Sequence, residues 1–402
     1  MYICRTNQKS NDMEESLYQT MNELITSTKT NFKRYLYDEI LWESRMIGLV
    51  GPRGIGKTTM LLQRVKEQKN NDKYLYVTAD DLYFGNHSLV DLAAEFVKDN
   101  GSHLIVDEVH KYRNWSRELK NIYDQHPDLH IIFTGSSILD IMQGEADLSR
   151  RALMYKMQGL SFREYLELNH NIKMQPFNLD DILKGDIELN GIRHPLPYFH
   201  DYLDHGYYPF GNEPGFKKLL QQTVSLAIDV DIPQYADMRT STASKLKLML
   251  SIISKLAPYK PNMSNLATEI GVSKNNIQDY IHYLERVGLL ALLRDKVEGL
   301  RLLGKVEKVY LDNTNLMAAL AENSPNIGNV RETFFFNQMR VRNNITGSPT
   351  SDFMINNYTF EVGGRNKKSK QIAGIKDAFI VKDDIEYAYN NVIPLWMFGL
   401  NY

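Results

Sequence analysis

The sequence has a single cysteine, Cys4, among its 402 residues. A lone thiol excludes an internal disulfide framework and any cysteine-based zinc site, and it fits a reducing cytoplasm. Long apolar runs are missing as well. None approaches the roughly 18 residues of a membrane helix, and the opening MYICRTNQKSND lacks the apolar stretch of a signal peptide. A cytoplasmic protein is therefore expected. There is no excess of charge of either sign, with 47 Lys and Arg against 49 Asp and Glu, so any nucleic-acid surface has to be a local patch. A GxSxG elbow and a metalloprotease histidine motif are both absent. His200 and His205 flank a Tyr-Leu-Asp stretch without metal-ligand spacing and read as packing or surface residues.

What is present is the mixture of a folded chain, 43% hydrophobic and 24% charged, long enough for two to four domains of about 100 to 200 residues each. Residues 13 to 43 read as helical, with Leu17, Met21, Leu24 and Ile25 at helical spacing. Apolar runs at Met46 to Val50, Tyr74 to Thr78, Leu104 to Val106 and His130 to Thr134 predict strands. They alternate with helical patterns at Met60 to Lys69, at Ser88 to Lys98 with Ser88 as cap, and at Trp115 to Tyr123. Strands alternating with helices predict a parallel sheet covered on both faces. After residue 160 the pattern changes to aromatic helical stretches interrupted by Pro195, Pro197 and Pro209. Three helical periods follow, Leu246 to Leu256, Met263 to Ile270 and Asn275 to Val287, with Gly271 in the middle turn. That is helix-turn-helix spacing, and runs at Leu289 to Leu293 and Lys308 to Leu311 are candidates for the strands of a wing. From about residue 330 a helix and several strands predict a last α/β unit.

The chemistry is carried by Gly51-Pro52-Arg53-Gly54-Ile55-Gly56-Lys57-Thr58, with Thr59 next, which satisfies GxxxxGK[ST] between a strand and a helix. Glycines let the backbone fold tightly enough for its N–H groups to face a phosphate, and the helix start adds its positive dipole end. Lys57 is expected to reach the β- and γ-phosphates of ATP, and the Thr58 hydroxyl to ligate Mg²⁺. The apolar run Leu104-Ile105-Val106 delivers Asp107 and Glu108 at a strand's C-terminal end, where α/β sheets bind ligands. Asp107 would hold Mg²⁺ through water, and Glu108 would orient the attacking water. The next strand ends in Thr134-Gly135-Ser136-Ser137, where Thr134 or Ser136 is the candidate γ-phosphate sensor; a plain strand-ending turn explains these residues equally well. Arg150 and Arg151 are candidates for an arginine finger, in the same chain or across an oligomer interface.

These stretches, together with DEVHK at 107 to 111, TGSS at 134 to 137, GLSFREYL at 159 to 166, LDHGYYP at 203 to 209 and IDVDIPQY at 228 to 235, resemble bacterial and archaeal AAA-type ATPases over nearly the whole chain after about residue 30. The resemblance implies an α/β fold: a P-loop NTPase parallel sheet with a helical lid, then a winged-helix domain and a small α/β endonuclease-like domain. The corresponding boundaries are 1–43 for an N-terminal helical extension, 44–165 for the ATPase core, 166–240 for the lid, 241–312 for the winged helix and 313–402 for the last domain. In the family an arginine precedes the LSF stretch, and Arg151 is the best match.

The tail is similar to the restriction-endonuclease-like fold. There an Asp and then an ExK triad bind metal, and Asp352 and Glu361 occupy suitable positions, with Glu332 as a third carboxylate. Glycine stands at 363 where that triad has lysine, and Lys367, too far along for the same strand face, could reach the site only by swinging in from the loop. A retained fold with lost chemistry is expected. Arg365, Lys367, Lys368 and Lys370 form a basic cluster beside this site, and the helix from Ser273 offers Lys274, Asn275, Asn276 and Gln278. Between 242 and 302 there are nine Lys and Arg against five Asp and Glu, a balance that admits DNA or a protein as the partner. The function expected is Mg-dependent ATP binding and hydrolysis with possible DNA association and homo-oligomerisation. The alternatives are a slow nucleotide-gated switch that binds a protein, and an ATP-controlled metal-dependent nuclease.

Overall fold

A computed structural model describes residues 2–69, 71–135, 148–187, 189, 191–233, 240–295, 305–321 and 324–402. The chain divides once, into Met1–Gln158 and Gly159–Tyr402; the finer boundaries drawn from the sequence fall inside these units. The GLSFREYL stretch packs within the second unit, where Phe162 is buried against Phe199 and Tyr202.

In the first unit the strands β1 (Met46–Val50), β2 (Tyr74–Thr78), β3 (His103–Asp107), β4 (His130–Gly135) and β5 (Leu153–Lys156) form a parallel sheet in the order β2-β3-β4-β1-β5. The central strands are nearly continuous runs of Ile, Leu, Val and Phe because helices bury both of their faces. The covering helices include α2 (Lys57–Lys66), α3 (Leu89–Lys98) and α4 (Trp115–Gln125), and Ser88 caps α3 by accepting the Asp91 N–H, as its position before the helix predicts. Register aligns the strand ends that matter. Thr78 lies opposite Asp107, Leu49 opposite Thr134 and Val50 opposite Gly135.

The N-terminal helix is α1 (Tyr2–Ser27), which buries Leu17, Met21 and Ile25. The helical reading to residue 43 is corrected: α1 stops at Ser27, and beyond it only a short 3-10 turn, Tyr35–Asp38, is helical. The Ser27 and Thr28 hydroxyls both donate back to the Leu24 carbonyl, competing with helix continuation. The Gln63 side-chain amide on α2 then holds the extended stretch by donating to the Lys29 and Phe32 carbonyls, each at 2.8 Å. α1 also covers the open edge of β2, where Met21 Sδ accepts the Tyr76 N–H.

At the N-terminal end of the sheet, Tyr74, His103 and His130 stack across three strands, with ring centroids 4.2 and 4.7 Å apart. Burial, followed by the neighbouring His130, pushes the His103 imidazole down to about 4. The unfolded chain binds this proton with the ordinary affinity near 6.5, so the contribution to stability is complete above pH 6.5 and is lost as pH falls towards 4. His103 is only half-buried, and solvent screening reduces the effect to roughly 1 kcal/mol. Urea midpoints at pH 7 and pH 5 should therefore differ less in His103→Phe than in the wild type. Identical pH slopes in the two proteins would show that the stack is not the titrating element.

In the second unit, helices Thr240–Leu256, Met263–Ile270 and Lys274–Arg286 lead into an antiparallel pair, β6 (Leu290–Arg294) and β7 (Val306–Leu311). Asn262 and Ser273 cap the second and third of these helices, and Gly271 takes the left-handed conformation (φ 70°) that the turn between them requires. A second sheet runs in the order β12-β11-β10-β9-β8, built from β8 (Ile345–Gly347), β9 (Phe353–Ile355), β10 (Tyr358–Gly363), β11 (Ala378–Lys382) and β12 (Val392–Pro394). The helix Ile327–Met339 lays Phe334, Phe335 and Phe336 into the core beside this sheet. Among the described residues no helix is long and apolar enough to cross a membrane.

Candidate nucleotide-binding site

The loop from Gly51 leaves the C-terminal end of β1 and enters α2 at Lys57. Gly54 (φ 76°) and Gly56 (φ 97°) take left-handed conformations closed to most side chains, and Gly56 is the residue from which α2 starts. The Lys57 Nζ is buried inside the loop and donates to the carbonyls of Gly51 at 2.9 Å and Pro52 at 2.8 Å. Thr58 and Thr59 stand in the first turn of α2, where Thr58 is half-buried and Thr59 exposed. A positive charge, glycine-rich backbone and a helix N-terminus thus converge on one side of the sheet, as a phosphate site requires.

Behind the loop lies Arg34, which the sequence reading missed. It is buried, and its guanidinium donates to the Ile55 carbonyl and, at 2.7 Å, to the Gln158 carbonyl. It ties the loop to the chain that follows β5. Seventeen residues upstream of Gly51, in a stretch that reads as helix, it carries no local signal.

Asp107 is the centre of the polar network. Its Oδ2 accepts the Thr58 hydroxyl at 2.5 Å and the Tyr76 hydroxyl at 2.8 Å. Its Oδ1 accepts the Thr134 hydroxyl and, at 3.1 Å, the Glu108 N–H. The carboxylate is almost fully buried and has a donor for each lone pair. Asp107 and Thr58 together form an all-oxygen donor set, the chemistry that a hard cation such as Mg²⁺ needs. Glu108 takes a left-handed backbone (φ 55°), a conformation that costs a non-glycine residue about 1 kcal/mol or more and recurs at functional sites. Its Oε2 lies 3.8 Å from Arg53 of the loop and 3.5 Å from His110 Nε2. The structure therefore gathers Lys57, Thr58, Arg53, Asp107, Glu108 and Thr134 at one end of the sheet. Ser136 lies outside the described residues.

Arg151 is the exception. It precedes β5, at the N-terminal edge of the sheet, and makes a two-armed pair with Asp124 at 3.0 Å through each arm. The pair holds the Asp124 carboxyl below its usual range. Arg151 is thus a full strand length from the loop of its own chain, which corrects its assignment as an in-chain arginine finger. Arg150 is exposed in the same turn.

In the second unit the expected acids are near one another but already have cations. Lys308 Nζ on β7 sits 3.0 Å from Glu332 and 3.6 Å from Asp352. Burial opposes the Lys308 charge, yet the two carboxylates win and its pKa is raised, while burial, then Asp352, raises that of Glu332. Lys367, too far along the chain to share the strand face, swings in from the loop to reach Glu361. Gly363 makes the room: a Cβ there would stand 2.6 Å from the Lys367 Cδ. The structure also brings His200 next to Asp383 and Asp384, which its sequence neighbourhood does not reveal, but Arg331 already bridges both acids at 2.8 and 3.2 Å.

Residues 43–166 match a family model described as an AAA domain, and residues 197–326 match one described as a domain of unknown function (DUF8612). The chain is 27% identical over 270 residues to the uncharacterized protein MJ1637 of Methanocaldococcus jannaschii. That alignment covers 62% of this chain and 56% of the relative, so the chain spans about half the relative's length. Similar solved structures include the Walker-type ATPase PABY2304 of Pyrococcus abyssi, 13% identical with a TM-score of 0.39, covering 74% of this chain and 99% of that one. AMPPCP-bound DnaA from Aquifex aeolicus is 15% identical with a TM-score of 0.27, over 67% of this chain and 86% of that one. The matched AAA model, the strand order and the loop together give the segment 43–166 an archaeal-ATPase-like P-loop fold.

Proposed function

We propose that this protein binds Mg-ATP in the loop from Gly51 to Thr59 and hydrolyses it. The observation that carries the reading is the hydrogen bond from Thr58 to Asp107, because it joins the phosphate loop after β1 to the acid at the end of β3, two strands away in the sheet. Lys57 and the loop N–H groups bind the β- and γ-phosphates, and Lys57 exchanges its two carbonyl partners for phosphate oxygens. Thr58 and, through water, Asp107 would hold the Mg²⁺, which when bound neutralises charge on the phosphate oxygens. Glu108 orients and deprotonates the attacking water, and Thr134 fixes Asp107 and senses the γ-phosphate. Arg151 remains a candidate finger only towards a second copy of the chain, as a homo-oligomer would supply.

The output belongs to the second unit. The three helices Thr240–Leu256, Met263–Ile270 and Lys274–Arg286, with the β6–β7 pair, support a winged-helix module over 241–312, followed by an endonuclease-like domain over 313–402. Lys274, Asn275 and Gln278 are exposed on the first turns of the third helix, whereas Asn276 is engaged with the Ser273 cap. Arg365, Lys368 and Lys370 are exposed as well, and both groups suit contact with DNA phosphates and bases. With Lys308 between Glu332 and Asp352, the endonuclease-like site reads as a retained fold without metal chemistry.

One observation favours slow turnover in the free protein, the behaviour of a nucleotide-gated switch. Glu108 Oε2 faces Arg53 and His110, two groups that compete with a water for its carboxylate. Steady-state phosphate release, measured with and without duplex DNA at two salt concentrations, separates the readings. Turnover stimulated by DNA, with the stimulation falling steeply as salt rises, supports the DNA-coupled ATPase. Bound nucleotide with no turnover above buffer under either condition supports the switch.

A further inference from the structure

Tyr76 belongs neither to the phosphate loop nor to the acid pair. It stands in the middle of β2, the edge strand, and its ring is buried. In the sheet register Thr78 lies opposite Asp107, so Tyr76, two residues earlier, shares a face with that acid. Its hydroxyl reaches forward to Asp107 Oδ2 at 2.8 Å, the same oxygen that accepts the Thr58 hydroxyl at 2.5 Å. A phenol keeps its proton throughout the physiological range, so this hydroxyl serves as a donor.

The consequence concerns a torsion. A carboxylate's last torsion is broad and roughly two-fold, so packing alone does not say which oxygen faces Thr58. Thr134 and the Glu108 N–H hold Oδ1 from one side, and Tyr76 holds Oδ2 from the other. A Thr58 hydroxyl that offers a lone pair to a cation needs somewhere to place its proton, and that place is Oδ2. We propose that Tyr76 is a positioning residue for the divalent cation: its hydroxyl locks the Asp107 carboxylate so that Oδ2 takes the Thr58 proton and Thr58 presents its lone pair to Mg²⁺. The inference rests on the Mg-nucleotide reading of the site. It goes beyond it by assigning cation affinity to a strand that contributes nothing to the loop.

The test uses the full chain and a fluorescent probe, mant-ADP, titrated first in EDTA and then over a series of MgCl₂ concentrations. Tyr76→Phe keeps the ring that fills the core and removes only the donor. In EDTA its affinity for mant-ADP should stay within about twofold of wild type, because the loop and Lys57 are untouched. The MgCl₂ concentration that gives half of the magnesium-dependent gain should rise about tenfold, the scale on which lost outer-shell partners weaken metal binding. In an Asp107→Asn background the same Tyr76→Phe change should produce no further shift, since its effect passes through that carboxylate. A merely structural tyrosine gives the opposite pattern, in which affinity falls equally with and without magnesium. That pattern, an unchanged magnesium midpoint, or a full shift persisting in the Asp107→Asn background each overturns the proposal. A wild-type chain that binds no mant-ADP under either condition overturns the nucleotide reading itself, and the inference with it.

Discussion

Lys57→Ala should abolish the thermal stabilisation that Mg-ATP or Mg-ADP gives the wild-type chain, with nucleotide affinity falling on the order of a hundredfold or more. Lys57 places a buried positive charge where the loop and the N-terminus of α2 converge. Methyl in its place leaves the backbone N–H groups but removes the full positive charge that the loop encloses. The free protein should change far less. Losing the two charge-assisted bonds to Gly51 and Pro52 costs on the order of 1.5 to 3 kcal/mol each, offset in part because the variant no longer buries the lysine charge, so the apo variant remains folded. Melting curves of both proteins, with and without saturating Mg-ATP, check this. A variant that gains as much from nucleotide as the wild type would place the phosphates elsewhere and remove the basis for the proposed function.

Glu108→Gln should do the reverse, leaving nucleotide affinity within a few-fold while cutting phosphate release by on the order of a hundredfold, the usual cost of one aligned catalytic group. The amide keeps the shape of the side chain and its hydrogen-bonding reach but cannot accept a proton from water. Its contacts to Arg53 at 3.8 Å and His110 at 3.5 Å are long, so little binding or stability depends on them. Single-turnover and steady-state phosphate release measured on the same preparation make the comparison. Equal turnover in variant and wild type would take Glu108 out of the mechanism, and Thr134 would become the next group to examine.

Much of the first unit was legible from local sequence. The runs Met46 to Val50, Leu104 to Val106 and His130 to Thr134 are strands because their apolar side chains are buried on both faces, and an isolated run of that kind declares itself. Gly51 to Thr58 is equally local, since glycines, lysine and threonine at fixed spacing dictate a loop and its helix. The helical reading of residues 28 to 43 went astray because periodicity does not reveal that Gln63, on another helix, pins that stretch in extended form. Of the two alternatives for Arg151, the in-chain one fails because a resemblance aligned along the chain does not say at which end of the sheet a residue emerges.

By itself the sequence determined the strand-loop-helix phosphate motif, the acid pair at 107 and 108 and the alternation of strands and helices from Met46 to Thr134, because each depends on residues within a few positions of one another. Only the tertiary structure decided which distant residues serve them. The order β2-β3-β4-β1-β5 puts Tyr76 beside Asp107, and the extended segment after α1 brings Arg34 behind the loop. In the second unit, folding places Lys308 between two acids. The reason is physical. Hydrogen bonds and ion pairs act over about 3 to 4 Å in space, and sequence separation does not carry that distance.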